Sequence, residues 1–575
     1  MKKSFLLILL AFTTVSGFSQ VNWGDKYFVK FTDKDNSPYS LDNPEEYLSQ
    51  RAIERRERYD IPIDMYDLPV NPQYIEAVQD VGVEVSNPTK WLNGVIVQTN
   101  DPSKIDEIEA LPFVESTVKN VMLGSNKVNL GIHDPREVPN NPLGLNKPFG
   151  MNERYEGTPM DLKSTKQITS LDYGEGYNQI SQIGGIPLHD DGYQGQDMVI
   201  AILDGGFTYT DEMDAFDSLY MNGQVLSTYD FVSGGTNVYQ GSTHGTAVLS
   251  TIGANMPGEL VGTAPKASFH FLRTEDTGSE YLIEEYNWVS GAEYADSAGA
   301  DIINSSLSYK EYDDPQQSHT YQDMDGNTAP ATIGADRAMS RGMIVVNSAG
   351  NSGNSSTWPW VGAPADGDSV FSIGAVNAWG EYVGFSSIGP TADGRLKPNV
   401  MAQGSGTVVA SIYGGTATSS GTSFSSPIIA GMTACLWQMD PTRRNTDVLN
   451  SIEMSGSMAG NPDYEMGHGI PDYAMASIIL SGFDPDIVGN PDDIEVFPNP
   501  FSDKIDILYN SPDTQSVVIT ISDITGKQVY HRENIRRKTG LNHFRVNGLD
   551  NLKQGAYILK ISSDGMISTK KVLKF

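Results

Sequence analysis

Between residues 166 and 482, short apolar runs alternate with longer segments in which apolar residues recur at helical spacing. A run that is apolar at every position predicts a strand buried on both faces, and intervening helices predict a parallel sheet covered on both sides. Chemistry in such sheets collects at the carboxyl ends of the strands. We predict strands at Met198–Leu203, Ser268–Leu272, Asp301–Asn304, Met343–Asn347 and Val370–Gly374. We predict helices at Gly245–Ala254, Tyr281–Ser297, Ile333–Ser340 and Ser423–Gln438.

The segments that flank this α/β region have different patterns. Residues 20–125 predict a small α+β domain, whereas the short alternating runs of residues 495–575 predict an all-β sandwich. Residues 126–165 and 483–494 are rich in Pro, Gly and short polar residues, so we predict two linkers, the first accessible to proteases. In the α+β domain we place strands at Tyr27–Phe31, Val95–Gln98 and Val118–Met122, and helices within 43–59 and 101–111. In the sandwich we place strands at Val517–Ile521, Lys527–His531, His543–Val546, Ala556–Ile561 and Thr569–Leu573, with a hairpin turn at Asp523–Gly526.

Residues 1–19 have the pattern of an export signal. Lys2 and Lys3 precede the apolar run Phe5–Phe12, which is too short to span a bilayer, and the small residues Gly17 and Ser19 offer a cleavage site. The alternative is a membrane anchor or a buried N-terminal helix. No later stretch of the sequence is long and apolar enough to span a membrane.

Charge and cysteine content narrow the function classes. The formal net charge is −33, and such an excess of carboxylates repels nucleic acid and anionic membrane surfaces. The one cysteine, Cys435, excludes an intramolecular disulfide. Because Cys435 lies in the apolar run 428–437, we predict a buried helical residue rather than a nucleophile.

Four polar residues lie beside the predicted strands and helices. Asp204 follows an apolar run and could orient a neighbouring group, while His244 opens a helical pattern and could act as a base. Small residues surround Ser423 and let a substrate backbone approach, and the amide of Asn351 could donate to a developing oxyanion. Taken singly, each of these residues has an ordinary structural interpretation, which is a turn Asp, a solvated His, a helix-capping Ser and a turn Asn, respectively.

Together, and in this order, the four motifs resemble those of the subtilisin-like serine peptidases. The resemblance covers roughly residues 175–480. Its most specific block is Ser420-Gly421-Thr422-Ser423-Phe424-Ser425-Ser426-Pro427, supported by Val261–Pro265, Ala300–Leu307 and residues 385–398. For residues 166–482 the resemblance implies a catalytic domain with a subtilisin-like parallel sheet, helices on both faces, and serine endopeptidase activity.

The resemblance also implies the mechanism, which is acyl transfer by a catalytic triad of Asp204, His244 and Ser423. His244 would take the Ser423 proton during attack on the scissile carbonyl and return it to the leaving amine, while Asp204 fixes the imidazole tautomer. Asn351 and the Ser423 backbone N–H would stabilise the oxyanion. An extended substrate would bind to backbone near the implied substrate-binding residues, which are Ser306, Leu307, Ser308, Ser348, Ala349 and Gly350.

Three positions depart from the family pattern. Gly205 replaces a hydroxyl residue after the catalytic Asp, so one hydrogen bond to Asp204 is either absent or supplied elsewhere. Ala247 replaces a common His, and Ser308 stands where Gly is common, which predicts a narrower pocket. The reaction requires no cofactor. Residues 254–259 do not reproduce the family's strong calcium loop, and although the acidic chain is compatible with calcium elsewhere, no ligand set can be read from the sequence.

The flanking domains carry resemblances of their own. Residues 20–125 resemble the inhibitory propeptides of this family in position and strand–helix order, which implies a zymogen that is cleaved within 120–170. Residues 495–575 resemble the C-terminal sorting domain of type IX secretion in some Gram-negative bacteria, through Val496–Pro500, Gly555–Tyr557 and the basic end at 570–574. The alternative for this domain is a substrate-binding β-module.

These resemblances imply a secreted or cell-surface peptidase that is exported through the periplasm. Its expected partners are protein or peptide substrates and, through the C-terminal domain, the secretion machinery. Two other hypotheses for the whole chain are a catalytically silent binding or adhesion protein with a peptidase fold, and an esterase.

Overall fold

The structure of the chain is a computed structural model that describes residues 25–119, 171–483, 494–511, 516–535, 540–563 and 566–575. The predicted export signal, the predicted first linker and residues 484–493 of the second linker lie outside the described residues. Within the described ranges, no helix is both long and apolar enough to cross a membrane.

The N-terminal domain, residues 25–119, is an antiparallel sheet with two of its helices packed on one face. Its strands are β1 (Asp25–Phe31), β2 (Glu84–Thr89), β3 (Gly94–Thr99) and β4 (Val114–Lys119), in the order β2-β3-β1-β4. Its helices are α1 (Gln50–Tyr59), α2 (Pro72–Asp80) and α3 (Ser103–Glu109). Val29 and Val97 point to one face and form a core with Val78 of α2 and Ile108 of α3.

The predicted α+β class of this domain is confirmed, but the predicted helices and strands differ from the observed ones in bounds and number. The helix within 43–59 begins only at Gln50, where the Ser49 side chain accepts a hydrogen bond from the Ala52 N–H. The last strand, predicted at 118–122, begins earlier, at Val114, where its pairing with β1 starts, and residues 120–122 lie outside the described residues. Helix α2 and strand β2 were missed, and the polar, proline-containing sequence of β2 forms a strand only by pairing at the edge with β3.

The catalytic-domain candidate, residues 171–483, contains a seven-stranded parallel sheet. The strands of the parallel sheet are β5 (Val199–Asp204), β6 (Val225–Asp230), β9 (Ser268–Arg273), β10 (Ile302–Ser305), β11 (Ile344–Ser348), β12 (Phe371–Val376) and β13 (Val400–Gln403). Two antiparallel pairs lie outside it, formed by β7 (Asn255–Met256) with β8 (Leu260–Val261) and by β14 (Thr407–Ala410) with β15 (Thr416–Ser419). Its helices are α4 (Tyr177–Ser181), α5 (Ile186–Asp190), α6 (Asp217–Met221), α7 (His244–Gly253), α8 (Ile283–Ala298), α9 (Pro330–Ser340), α10 (Thr422–Gln438), α11 (Asn445–Met454) and α12 (Tyr473–Leu480). The parallel sheet has the order β13-β12-β11-β10-β5-β9-β6, so β5 and β10 lie side by side near its centre.

Helices cover both faces of this sheet, as predicted. Successive side chains of a strand point to opposite faces. At the end of β5, Leu203 faces Gly291 of α8, where a Cβ atom would lie 3.3 Å from a Leu203 methyl carbon. The next residue, Asp204, faces Gly245 of α7 on the other side. Every side chain of β5 is buried, which explains its continuous apolar sequence.

The C-terminal domain is an antiparallel sandwich, which confirms the predicted all-β class. One sheet contains β16 (Ile494–Phe497), β17 (Ile505–Ser511) and β20 (Gly540–Val546). The other contains β18 (Val517–Asp523), β19 (Gln528–Ile535), β21 (Gly555–Ser563) and β22 (Met566–Lys574). The two sheets share a core that includes Phe501, Ile507, Ile519 and Leu559. The Gly526 N–H donates to the Asp523 carbonyl at 3.0 Å, so the predicted hairpin turn is present.

The N-terminal domain lies against α8 through the second face of its sheet. Phe28 and Ile96 point away from the domain's own core and pack on Ile283 and Tyr286 of α8. The Phe28 and Tyr286 rings are stacked with centroids 4.3 Å apart. The alternating pattern of β1 and β3 therefore serves two apolar contacts, one inside the domain and one outside it.

A buried ionic cluster also joins these two domains. Asp296 of α8 is fully buried and pairs with Arg55 at 2.5 Å, Arg56 at 2.8 Å and Lys90 at 3.1 Å. Burial alone would raise the pKa of Asp296, but the cations of Lys90, Arg56 and Arg55 hold it well below its usual range. On the same helix, Glu293 accepts the backbone N–H groups of Lys90 and Trp91 at 2.7 and 2.8 Å, respectively.

Candidate active site

Asp204 and His244 are brought together by the ends of two elements. Asp204 is the last residue of β5 and is fully buried, and His244 is the first residue of α7. The His244 Nδ1 atom lies 2.9 Å from both carboxylate oxygens of Asp204. Gly245 permits this approach, because a Cβ atom there would lie 2.3 Å from the Gly206 carbonyl oxygen. A carboxylate that accepts from Nδ1 leaves Nε2 as the basic nitrogen of a neutral imidazole.

The backbone supplies the hydrogen bond to Asp204 that the replacement of a hydroxyl residue by Gly205 had put in doubt. The Gly205 N–H donates to Asp204 Oδ1 at 2.7 Å. A Cβ atom on Gly205 would lie only 2.7 Å from Thr277 Cγ2, so Thr277 occupies the space that a side chain at 205 would need. The buried Arg273 donates from Nε to the Gly205 carbonyl at 3.1 Å and from Nη1 to Asp230 at 2.9 Å. This ion pair fixes the backbone that follows Asp204.

Ser423 is the second residue of α10, and its carbonyl and hydroxyl groups are both held by Ser306. Pro427 has no N–H, so the helical hydrogen bond that would normally reach the Ser423 carbonyl is missing. The Ser306 hydroxyl donates to that carbonyl instead at 2.9 Å. In return, the Ser423 hydroxyl donates to the Ser306 carbonyl at 3.3 Å. Phe424, the next residue, lies beside His244 with ring centroids 5.9 Å apart, so the imidazole is next to the start of α10.

Asn351 lies just beyond the end of β11, and its orientation is set by Thr422. The Asn351 Oδ1 atom accepts both the backbone N–H of Thr422 at 2.8 Å and its hydroxyl at 3.0 Å. Two donors on one atom identify it as the amide oxygen, so Nδ2 is the donor left for a ligand. A Cβ atom on Gly421 would lie 3.4 Å from Nδ2, so this donor is close to the residue that precedes α10.

The six implied substrate-binding residues follow two neighbouring strands. Ser306, Leu307 and Ser308 follow β10, and Ser348, Ala349 and Gly350 end or follow β11. The Leu307 carbonyl accepts from Asn347 Nδ2 at 3.1 Å, which ties the two segments together. Ala349 is fully buried, whereas the half-buried Ser308 reaches toward Gly350.

Three carboxylates outside these motifs could hold a divalent cation. Oxygens of Glu275, Glu280 and Glu284 lie within 4.8 Å of one another, on the segment between β9 and α8 and in the first turn of α8. Oxygen ligands suit calcium. The sequence did not reveal this group, because its spacing matches no simple loop pattern.

Sequence reasoning also missed the roles of Thr422 and Arg273. Thr422 was visible within the serine motif but had no assigned contact, and only the fold shows that it holds Asn351, 71 residues earlier. Arg273 is the last residue of β9, one position beyond the predicted strand Ser268–Leu272, and carried no signal in the sequence. A buried charge is uncommon unless it is paired, and that pairing could only be seen in three dimensions.

Comparisons with known proteins bear on all three domains. A model of the subtilase family matches residues 195–469, one of the peptidase S8 propeptide domain of Bacteroidota matches 26–132, and one of the secretion system C-terminal sorting domain matches 495–574. Subtilisin NAT of Bacillus subtilis subsp. natto is 35% identical over 299 residues, which are 51% of this chain and 68% of that protein. The subtilisin of Bacillus pumilus is 34% identical over 299 residues, covering 51% of this chain and 94% of its own length. The solved structure of the prenylagaramide maturation protease PagA aligns with 52% of this chain and 99% of its own, at 21% identity and a TM-score of 0.42.

Proposed function

The chain belongs to the subtilase family of serine peptidases, and we propose that it is an endopeptidase that forms an acyl-enzyme on Ser423. The observation that supports this most directly is the 2.9 Å contact between Asp204 and His244 beside the start of α10. The sorting domain indicates secretion or attachment to the cell surface. Protein or peptide substrates are therefore expected outside the cell.

In the proposed mechanism, His244 acts as both base and acid. Its Nε2 atom takes the Ser423 proton while the hydroxyl oxygen attacks the scissile carbonyl carbon, and the imidazolium then protonates the departing amine nitrogen. Asp204 accepts the Nδ1–H throughout, which holds the tautomer and stabilises the charged ring. Water then attacks the acyl-enzyme, with His244 again taking and returning the proton, and frees Ser423. No step of this reaction needs a cofactor.

The oxyanion of each tetrahedral intermediate would be held by two donors. One is Asn351 Nδ2, which Thr422 turns away from its own side chain. The other is the Ser423 backbone N–H, since N–H groups in the first turn of a helix have no partner within the helix. Both donors lie at the start of α10, where the helix dipole also favours negative charge.

Replacing Asn351 by Ala is expected to lower kcat by about 10²–10³-fold, the size of effect known for the side-chain donor of another member of this family. The charge on the oxyanion develops during reaction, so KM should change little. Steady-state kinetics on a fluorogenic peptide measure both constants. Asn461→Ala, at an exposed loop position, is the matched control. A loss carried mainly by KM would contradict the assigned role.

The proposed function is tested by labelling the full chain with a fluorophosphonate and by incubating it with a diverse peptide library. We expect mass spectrometry to find the label on Ser423 and internal cleavages in the library. A silent binding protein would retain peptides without cleaving them and would leave Ser423 unlabelled, an outcome that would overturn the proposal.

We also propose that the N-terminal domain is an inhibitory propeptide and that maturation cleaves the chain within 120–170, a segment outside the described residues. The matching propeptide model and the contacts of the domain with α8 support this proposal. N-terminal sequencing of the secreted protein locates the cut, and a mature chain that begins near residue 21 would contradict it.

A further inference from the structure

The position of the first side-chain pocket follows from the nucleophile and the oxyanion donor. An attacked carbonyl must present its carbon to Ser423 Oγ and its oxygen to Asn351 Nδ2. Ser423 Oγ lies on the Ser306 carbonyl, just after β10, and Asn351 lies just after the neighbouring strand β11. The substrate residue that supplies this carbonyl must therefore lie over the gap between the ends of β10 and β11. Its side chain has to enter between residues 306–308 and 348–350.

This gap is closed at its base by buried, hydrogen-bonded backbone. The Leu307 carbonyl accepts from Asn347 Nδ2 at 3.1 Å, and Leu307 and Ala349 are almost completely buried. Since these residues are packed within the protein, the base of the gap cannot widen without disturbing the neighbouring strands. Of the six residues that border the gap, Ser308 is the one that is not fully packed away, so the accessible end of the gap lies at Ser308.

At this accessible end, the Ser308 hydroxyl lies between two glycines. Tyr309 and Ala363 pair through two backbone hydrogen bonds of 2.8 and 3.0 Å, which bring Gly362 alongside Ser308. A Cβ atom on Gly362 would lie 2.6 Å from Ser308 Oγ, and one on Gly350 would lie 2.9 Å from the same atom. The Ser308 side chain is thus in contact with two residues that have no side chain, and it fills the opening between them.

A second hydroxyl confines Gly350 from within the protein. A Cβ atom on Gly350 would lie 3.0 Å from Ser387 Oγ, so Ser387, which is fully buried, packs against Gly350. The Ser387 hydroxyl accepts the Ser352 N–H at 3.0 Å, which fixes its position. Because Ser308 and Ser387 both lie close to Gly350, this residue cannot move aside to make room for a long substrate side chain.

We propose that Ser308 restricts the residue on the N-terminal side of the cleaved bond to Gly, Ala or Ser, so that the substrates are proteins with small residues at the cleavage site. This inference rests on the proposed peptidase function and deepens it. A side chain of one or two heavy atoms fits beside the Ser308 hydroxyl, whereas each further methylene has to displace it. A misfit of one methylene typically changes kcat/KM by about 10- to 200-fold.

The test compares kcat/KM for a series of peptides that differ only at the residue before the cleaved bond, with the full chain allowed to mature and its active sites titrated by a fluorophosphonate. We expect the value for Ala to exceed those for Leu and Phe by about 100-fold or more. In the Ser308→Gly variant, the ratio of kcat/KM for the Phe peptide to kcat/KM for the Ala peptide should rise by at least about tenfold. The exposed Ser356→Gly, in the loop after Asn351, should leave this ratio unaltered.

Two results would overturn the pocket proposal alone. One is cleavage after Leu or Phe by the parent enzyme as efficiently as after Ala. The other is an unaltered ratio in a Ser308→Gly protein that titrates normally with the fluorophosphonate. If the parent protein neither reacts with that reagent nor cleaves any peptide, the proposed function fails, and the pocket proposal fails with it.

Discussion

Replacement of Ser423 by Ala is expected to lower kcat for peptide hydrolysis by about 10⁶-fold, the size of loss known for removal of the nucleophile in another member of this family. The variant keeps the oxyanion donors and the substrate-binding backbone, but it has no oxygen that can form the acyl-enzyme. Kinetics on a fluorogenic peptide, with Ser356→Ala as the control, measure the loss. Activity within about tenfold of the parent would show that the chemistry lies elsewhere.

The same substitution should leave the chain uncut if the enzyme matures itself. We expect purified Ser423→Ala protein to retain its N-terminal domain on a denaturing gel, whereas the parent protein loses it. Processing of the variant at the parent rate would indicate that another protease performs the maturation.

Replacement of Asp296 by Ala is expected to weaken the attachment of the N-terminal domain by about 3–5 kcal/mol, since it removes the carboxylate that pairs with Arg55 and Lys90, whereas Arg56 keeps its pair with Asp67 at 2.5 Å. Three cations, Arg55, Arg56 and Lys90, converge on this one carboxylate. This loss of free energy corresponds to a change of about 100- to 4,000-fold in the equilibrium constant for detachment of the domain. Because the pKa of Asp296 is lowered in the folded protein, its contribution is complete above the unfolded pKa and is lost only as the pH falls through the folded one.

Hydrogen–deuterium exchange measures this effect in the full chain, with Ser423→Ala present in both samples to prevent cleavage. Amides of β1 and β3 should exchange faster in the Asp296→Ala protein, because opening of the domain becomes more frequent. Glu107→Ala is the matched control, since Glu107 pairs with Lys104 at 2.9 Å on the exposed surface, where such pairs contribute about 0–1 kcal/mol. Equal exchange in the two variants would contradict the importance of the buried cluster.

The strands and helices that could be predicted from sequence are those with continuous or strongly periodic apolar patterns. Strand β5 and helix α10 agree with prediction to within one residue at each end. Strands β6 and β13 were missed, and they are the two edge strands of the parallel sheet; half of the residues of β6 are also polar. Such segments become strands through pairing with neighbours, which a local pattern does not contain.

The residue types of the candidate site could be read from their motifs, but the contacts between them could not. The sequence suggested that Gly205 removes a hydrogen bond to Asp204, but the Gly205 N–H donates one. Thr277 occupies the space that a side chain at position 205 would need. Ser306 compensates the carbonyl that Pro427 leaves without a helical donor, although these residues are more than 100 positions apart. Contacts of this kind depend on the packing of distant segments.

The two-sided burial of the N-terminal sheet makes its departure hard to reverse. Once the domain separates from α8, Phe28 and Ile96 face water, and Arg55 and Arg56 lose the carboxylate they shared. The freed fragment is then less stable than it was in place, and under the proposed peptidase function its more frequent opening would expose it to cleavage by the catalytic domain. Activation would therefore run in one direction, with each released fragment consumed before it can dock again.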